Sequence, residues 1–168
     1  MHPARFAGVA LILLGVLPQP LLSQNDDEGS RATLAGLAGV QVVVESLPLA
    51  ATRYGLDRAT LRTDIELRLR MAGLRVVESD SASSSFLYVA VNLQDSDVGI
   101  AAYSLSVAFY QFVRLYRLPQ SALPVMAITW SVHGVGTARI QSVPGIRDYA
   151  RDYVDRFINA YLAVNPRR

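Results

Sequence analysis

Two stretches separated by five residues decide the fold: residues 86–94 read FLYVAVNLQ, and residues 100–116 read IAAYSLSVAFYQFVRLY. Both stretches alternate apolar with small or polar residues at a period of two, which is typical of β-strands. Residues 95–99, DSDVG, are turn formers, so the two strands are predicted to pair as an antiparallel hairpin. One face of the second strand is apolar, and the other face carries Ser104, Ser106, Ala108, Tyr110, Phe112 and Arg114.

Further strands are predicted on both sides of this hairpin. Towards the N-terminus, residues 40–47 form a β-branched run that is apolar on both faces, which indicates a strand inside the sheet. Residues 74–78 are a short strand, and the serine-rich residues 79–85 are an exposed loop. Towards the C-terminus, residues 125–136 alternate again, with Met126, Ile128, Trp130 and Val132 opposite Ala127, Thr129, Ser131 and His133.

Two amphipathic helices are predicted from apolar residues at helical spacing. The first begins after the N-cap Asp57 and ends at Gly73. The second covers residues 145–164, with Pro144 in its first turn and Pro166 beyond its end. Charged residues four apart are expected to pair within each helix: Asp64–Arg68, Glu66–Arg70, Arg151–Asp155 and Asp152–Arg156.

The element order β-α-β-β-β-β-α predicts an α+β fold. Each amphipathic helix needs an apolar surface to cover, and one sheet face can serve both helices. We therefore expect a two-layer sandwich, in which a mainly antiparallel four- to five-stranded sheet carries two helices on one face. Residues 37–165 are expected to form this single domain.

The first 23 residues resemble a secretory signal peptide. Arg5 supplies a positive charge, residues 6–17 are apolar or glycine, and prolines precede the small residue Ser23. The apolar run is shorter than the roughly 20 residues that span a bilayer, although an uncleaved N-terminal anchor is the alternative. Cleavage is placed after Ser23 or one residue to either side. Residues 24–36 are then a flexible acidic tether, and the protein is periplasmic or secreted.

Composition excludes several kinds of site. The chain has 16 basic and 14 acidic residues, so no nucleic-acid-binding surface is expected. It has no cysteine, which excludes a disulfide scaffold, a thiolate metal site, a cysteine nucleophile and a bacterial lipid anchor. No transmembrane segment is expected in the mature chain, and neither a metal nor a cofactor is predicted.

No catalytic residues are assigned from the sequence. His133 and Ser131 lie two apart on one strand face, which places their side chains about 7 Å apart, and no acid is positioned to orient the histidine. Gly134 and Gly136 match no phosphate-binding loop and indicate a strand end or bulge. Asp95 and Asp97 are too few for a calcium site and are typical of a turn.

The sheet face opposite the helices is the predicted partner-binding surface. Small polar side chains there grade into aromatic ones, which is typical of a docking patch, although a solvated face with ordinary cross-strand aromatics is the alternative. The long strand 100–116 is also a candidate free edge. The predicted partner-binding residues are Ser104, Ser106, Tyr110, Phe112 and Tyr116.

The C-terminal residues 153–166, YVDRFINAYLAVNP, together with the helix within residues 55–74, resemble parts of uncharacterised exported bacterial proteins. This resemblance implies export but no activity. The order of elements is also similar to that of small envelope-assembly lipoproteins, although this chain lacks their lipid-anchor cysteine.

Taken together, these patterns predict a non-enzymatic binding or adaptor protein of the bacterial cell envelope, with another envelope protein as its partner. The alternative is a periplasmic binder of a small apolar ligand held between sheet and helices by Phe109, Trp130 and Phe157. A hydrolase that uses Ser131 or His133 is the third hypothesis.

Overall fold

A computed structural model describes residues 21–78 and 85–166, and for residues 21–24 it describes the backbone. Most of the predicted signal peptide and of the serine-rich loop therefore lies outside the described residues. The strands are β1 (Leu21–Asn25), β2 (Val40–Val44), β3 (Val76–Val77), β4 (Phe86–Asp95), β5 (Ile100–Val113) and β6 (Val125–Arg139). The helices are α1 (Glu28–Ala32), α2 (Leu49–Arg53), α3 (Arg58–Met71), α4 (Ile146–Val164) and a 3-10 helix (Ile140–Gly145).

The predicted α+β fold is confirmed. The strands form one sheet in the order β1-β6-β5-β4-β2-β3, and α3 and α4 pack on each other and on the sheet. The sheet is mixed: β4, β5, β6 and β1 pair antiparallel, whereas β2 is parallel to both β3 and β4. The parallel pairs follow from α3, which carries the chain from β2 back to the same end of the sheet.

The core lies between the sheet and the two long helices. Phe157 of α4 is fully buried, and its ring centroid lies 5.3 Å from that of Phe109 on β5 and 5.3 Å from that of Trp130 on β6. Leu61, Ile65 and Leu69 of α3 are buried at the predicted helical spacing. The helix begins as predicted, because the Asp57 carboxylate accepts a hydrogen bond from the Thr60 amide at 2.7 Å.

Ion pairs join α3 to α4, and this corrects part of the predicted pattern. Asp64 accepts hydrogen bonds from Arg147 and from Arg151, and Arg68 donates to Asp155 at 2.6 Å. The Asp64–Arg68 and Arg151–Asp155 pairs expected within single helices are thus replaced by pairs between helices. The reason is that these four residues face the neighbouring helix. Glu66 and Arg70 pair within α3 as predicted, at 2.9 Å.

The segment predicted to be a flexible tether, residues 24–36, differs in the structure because it contacts both the sheet and α4. It contains α1, which the Asp27 side chain caps by accepting from the Ser30 amide at 2.7 Å. Leu34 is fully buried in the core cluster. Asn165, just after α4, accepts from the Gly36 amide at 2.7 Å and donates to the Leu34 carbonyl at 2.9 Å.

Strand β1 overlaps the end of the predicted signal peptide. Leu21–Asn25 pairs antiparallel with residues 131–135 of β6 and forms one edge of the sheet. Strand β5, considered a free edge from the sequence, lies instead between β4 and β6. In the described part of the chain, no helix is both long enough and apolar enough to span a membrane.

Candidate interaction face

The outer face is the side of β4, β5 and β6 that points away from α3 and α4. The strand register places Ser104, Ser106, Tyr110 and Phe112 on it, which are four of the five predicted partner-binding residues. Strand β5 ends at Val113, three residues earlier than predicted. Tyr116 consequently lies in the connection after the strand, where it is fully exposed and separate from the outer face.

Three aromatic rings form a fixed cluster at one end of the outer face. Phe86 and Tyr110 are directly opposite each other on β4 and β5, and their rings stack with centroids 5.0 Å apart. Tyr88 meets both rings edge-on, at 6.4 Å from Phe86 and 5.9 Å from Tyr110. Burial and a hydrogen bond to Glu45 raise the pKa of the Tyr88 hydroxyl. Stacked and edge-to-face pairs are the preferred arrangements of aromatic rings and stabilise this cluster.

Exposed apolar side chains continue this cluster onto the neighbouring strand. Phe112 is opposite Met126, and Tyr110 is opposite Ile128. Phe112 is 50% exposed, Met126 is 40% exposed and Ile128 is 47% exposed. The outer face therefore presents large apolar groups to solvent beside an ordered aromatic cluster.

A β-bulge explains why Met126 and Ile128 were assigned to the wrong face. The register shifts between Phe109, which pairs with Trp130, and Tyr110, which pairs with Ile128. This extra residue in β6 reverses the alternation, so Met126 and Ile128 lie on the face opposite Trp130. Regular alternation of β6 would place Thr129 on the outer face with Ser131. As the extra residue of the bulge, Thr129 accepts a hydrogen bond from the side-chain amide of Gln111 at 2.7 Å.

The other end of the outer face is polar and carries no bonded catalytic pair. The Asn92 amide donates to the Ser104 hydroxyl at 3.3 Å, and Ser106 lies opposite the exposed His133. Ser131 lies opposite Ala108. Within the described residues, no hydrogen bond joins His133 to Ser131, so neither is arranged as a nucleophile with its base.

Asp95, one of the two acidic residues considered as metal ligands, has structural contacts instead. The Tyr54 hydroxyl donates to Asp95 at 2.6 Å, and this bond lowers the pKa of that carboxyl group. Arg53 lies 4.0 Å from the same carboxylate. No group of three or more histidine or acidic side chains in the described ranges could hold a metal ion.

A cavity of about 760 Å³ lies at the end of the sheet where β6 runs beside α4. Tyr103 and Tyr149 line it and stack on each other with centroids 6.2 Å apart. Phe109, Trp130 and Phe157, the residues predicted to line a ligand pocket, are fully buried against one another as core. The sequence did not predict the tyrosine pair. The one signal for it was Gly136, since a glycine within a strand often marks a close approach, and Gly136 lies opposite Tyr103.

Comparison with known proteins gives this chain no family. No protein-family model matches the sequence, and no curated protein matches it. A solved structure of a minor lipoprotein from Acinetobacter baumannii is similar to 76% of this chain and 88% of its own, at 15% identity and a TM-score of 0.24. A similarity at this TM-score carries no argument about what the present chain does.

Proposed function

We propose that this chain is an exported, non-enzymatic binding protein of the bacterial cell envelope that docks another envelope protein on its outer face. The observation that carries the proposal is the exposed apolar set Phe112, Met126 and Ile128 beside the ordered aromatic cluster. The proposal of export rests on the N-terminal sequence, in which Arg5, an apolar run and Ser23 follow the order of a secretory signal.

The arrangement of the outer face fits a protein interface. Interface energy is concentrated in a few side chains, among which tyrosine is enriched; phenylalanine and methionine are enriched at interfaces, and the rim is polar. Here Tyr110 is held by its stacking on Phe86, so little side-chain entropy is lost when a partner covers it. Ser104 and Ser106 lie farther along the same strand face and provide hydroxyl groups at the polar rim.

Photocrosslinking in the native envelope tests this proposal. A photoreactive residue at Ile128 should capture one abundant envelope protein, identified by mass spectrometry. The double variant Tyr110→Asp/Phe112→Asp should abolish this capture because it places two charges in the interface. Val98→Asp, at a turn residue that is 79% exposed and outside the outer face, is the matched control and should leave capture unchanged.

The folding of each variant is checked before the capture is interpreted. Phe112 is half exposed, and Phe112→Asp alone is expected to leave the thermal midpoint nearly unchanged. Capture that persists in a folded Phe112→Asp variant, or capture that Val98→Asp also removes, would contradict the assignment of the outer face.

A second candidate function is the binding of a small apolar ligand. The observation that favours it is the cavity of about 760 Å³, which falls in the range of ligand pockets and has two tyrosines in its wall. Thr137 also lines this cavity. Native mass spectrometry of chain purified from the envelope should show a bound ligand that is lost in Thr137→Trp, whereas Phe112→Asp should retain it.

A further inference from the structure

Acidic residues are absent from a long part of the sequence that includes β5 and β6. No aspartate or glutamate lies between Asp97 and Asp148, although arginines are present at positions 114, 117, 139 and 147. Elsewhere, the 14 acidic residues are distributed through the other elements. The β5–β6 hairpin is therefore neutral to positive along its whole length, which favours a negatively charged partner surface.

The turn end of this hairpin extends beyond the rest of the sheet. The last three residue pairs of β5 and β6 run from Gln111–Ala127 to Val113–Val125. Among the described residues, β4 begins opposite Tyr110 of β5, and β1 ends opposite Ser131 of β6. Neither neighbouring strand therefore continues along these last three pairs. At about 3.3 Å per residue, this two-stranded arm extends roughly 10 Å past its neighbours.

The connection at the end of the arm, residues 114–124, is here named the hairpin tip. It reads RLYRLPQSALP and contains two arginines, two prolines, one tyrosine and three leucines. Tyr116 is fully exposed, Leu123 is 86% exposed and Leu118 is 43% exposed. Arg117 forms no ion pair within the described part of the chain, so its charge is available to a partner.

Internal hydrogen bonds hold part of the backbone of the hairpin tip together. The Leu118 amide donates to the Leu115 carbonyl at 3.0 Å, and the Ala122 amide donates to the Pro119 carbonyl at 2.9 Å. The Arg114 guanidinium donates to the carbonyls of Gln120 and Ala122. Pro119 and Pro124 have no amide hydrogen to satisfy. The backbone groups that have these partners can approach a lipid interface at lower cost than unpaired groups can.

We propose that the hairpin tip binds the surface of an anionic phospholipid bilayer. Tyr116, Leu118 and Leu123 enter the boundary between headgroups and acyl chains, where tyrosine is favoured and apolar burial is stabilising. Arg117 remains at the level of the headgroup phosphates, to which an arginine adds about fivefold in affinity.

This proposal is independent of the outer-face proposal because the tested residues differ. Arg114 is left intact in the test because it holds the loop together. Every variant is purified with the same N-terminus as the unmodified chain, so the N-terminal segment contributes equally to the binding of all of them. Binding is measured by flotation with vesicles of phosphatidylcholine alone and with 30% phosphatidylglycerol.

We expect Arg117→Gln to weaken binding to the phosphatidylglycerol vesicles about fivefold and to leave the weaker binding to phosphatidylcholine unchanged. Leu118→Ser/Leu123→Ser should weaken binding to both vesicles more than tenfold. Arg75→Gln and Leu49→Ser change an exposed arginine and an exposed leucine elsewhere on the molecule, and both should bind as the unmodified chain does.

A tryptophan at the hairpin tip reports insertion directly. Tyr116→Trp should shift its emission to shorter wavelength with anionic vesicles and should be quenched by brominated acyl chains, whereas Leu49→Trp should show neither effect. The proposal is overturned if the emission of Tyr116→Trp is unchanged, or if Leu118→Ser/Leu123→Ser binds normally. A photoreactive residue at position 116 that labels only protein in cells would also overturn it, in favour of a protein partner.

Discussion

The indole nitrogen of Trp130 donates a hydrogen bond of 2.8 Å to the carboxylate of Asp26, which lies 104 positions earlier in the chain. Trp130 is fully buried and belongs to the hydrophobic core. The same carboxylate pairs with Arg31, and that hydrogen bond is the main reason why the pKa of Asp26 is lowered. The Asp26 carboxylate thus attaches the segment before β2 to the core.

Replacing Asp26 is expected to destabilise the fold through Trp130. In Asp26→Ala the buried indole N–H has no acceptor, which costs about 1–3 kcal/mol in the free energy of unfolding. Arg31→Ala removes the exposed partner of the same carboxylate and is expected to cost less than about 1 kcal/mol. Urea denaturation of the two variants checks this difference. Equal losses would show that the bond to Trp130 contributes nothing.

The sequence predicted the hairpin, both long helices and the common helix-bearing face because these depend on local periodicity. It did not predict the ordered segment around Asp26, because a short polar run has no periodicity and its contacts are with Trp130 and Asn165, more than 100 residues away. Hydrogen bonds between such distant residues leave no pattern in the nearby sequence.

The candidate site was only partly predictable for the same reason. Ser104, Ser106, Tyr110 and Phe112 follow from the regular alternation of β5 and lie on one face as expected. The contribution of Met126 and Ile128 depends on the bulge at Thr129, where neither glycine nor proline marks the irregularity.

Stability is expected to fall at acid pH because of Asp64. Its hydrogen bond to Arg147 is the main cause of its lowered pKa, and Arg151 acts in the same direction. Because the folded-state pKa lies below the unfolded value of about 3.9, the stabilisation is complete above that pH. It is lost as the pH falls through the folded-state pKa.

The measurement for Asp64 is a comparison of urea midpoints at pH 7 and pH 3 for the unmodified chain and Asp64→Asn. Asp64→Asn should be less stable at pH 7 because two arginines lose their shared carboxylate. The difference between the two proteins should shrink at pH 3. A difference that is the same at both pH values would contradict a contribution from this ionised group.

Asn165 is expected to stabilise the junction between α4 and the N-terminal segment. Its side chain accepts from Gly36 and donates to the carbonyls of Leu34 and Tyr161, the last two at 2.9 Å. Asn165→Ala should cost about 1–3 kcal/mol because these partners lose their hydrogen bonds. Asn165→Asp should also be destabilising, since it loses both donors and adds a negative charge at a helix C-terminus.

Hydrogen exchange distinguishes the local role of Asn165 from a general loss of stability. The Gly36 amide should lose its protection in Asn165→Ala well before the amides of α3 do. Uniform loss of protection across both regions would mean that Asn165 acts only on global unfolding and does not fasten the N-terminal segment.

Gly136 is expected to be required for the position of Tyr103. A Cβ atom at position 136 would lie 2.9 Å from the Tyr103 hydroxyl oxygen and 3.0 Å from the adjoining ring carbon. Gly136→Ala must therefore displace a ring that stacks on Tyr149 at 6.2 Å, and overpacking of this kind costs about 1–3 kcal/mol. Burial raises the pKa of Tyr103, so the displaced hydroxyl should ionise at lower pH.

Combining Gly136→Ala with Tyr103→Leu separates this contact from other effects of the added methyl group. Leucine lacks the ring atoms that the new Cβ would meet, so in that background Gly136→Ala should cost little. If the two substitutions instead destabilise additively in urea denaturation, Gly136 does not act through Tyr103. The ionisation of Tyr103, followed by NMR at its Cζ carbon, provides the second readout, and in the unmodified chain it should titrate above the ordinary tyrosine pKa of about 10.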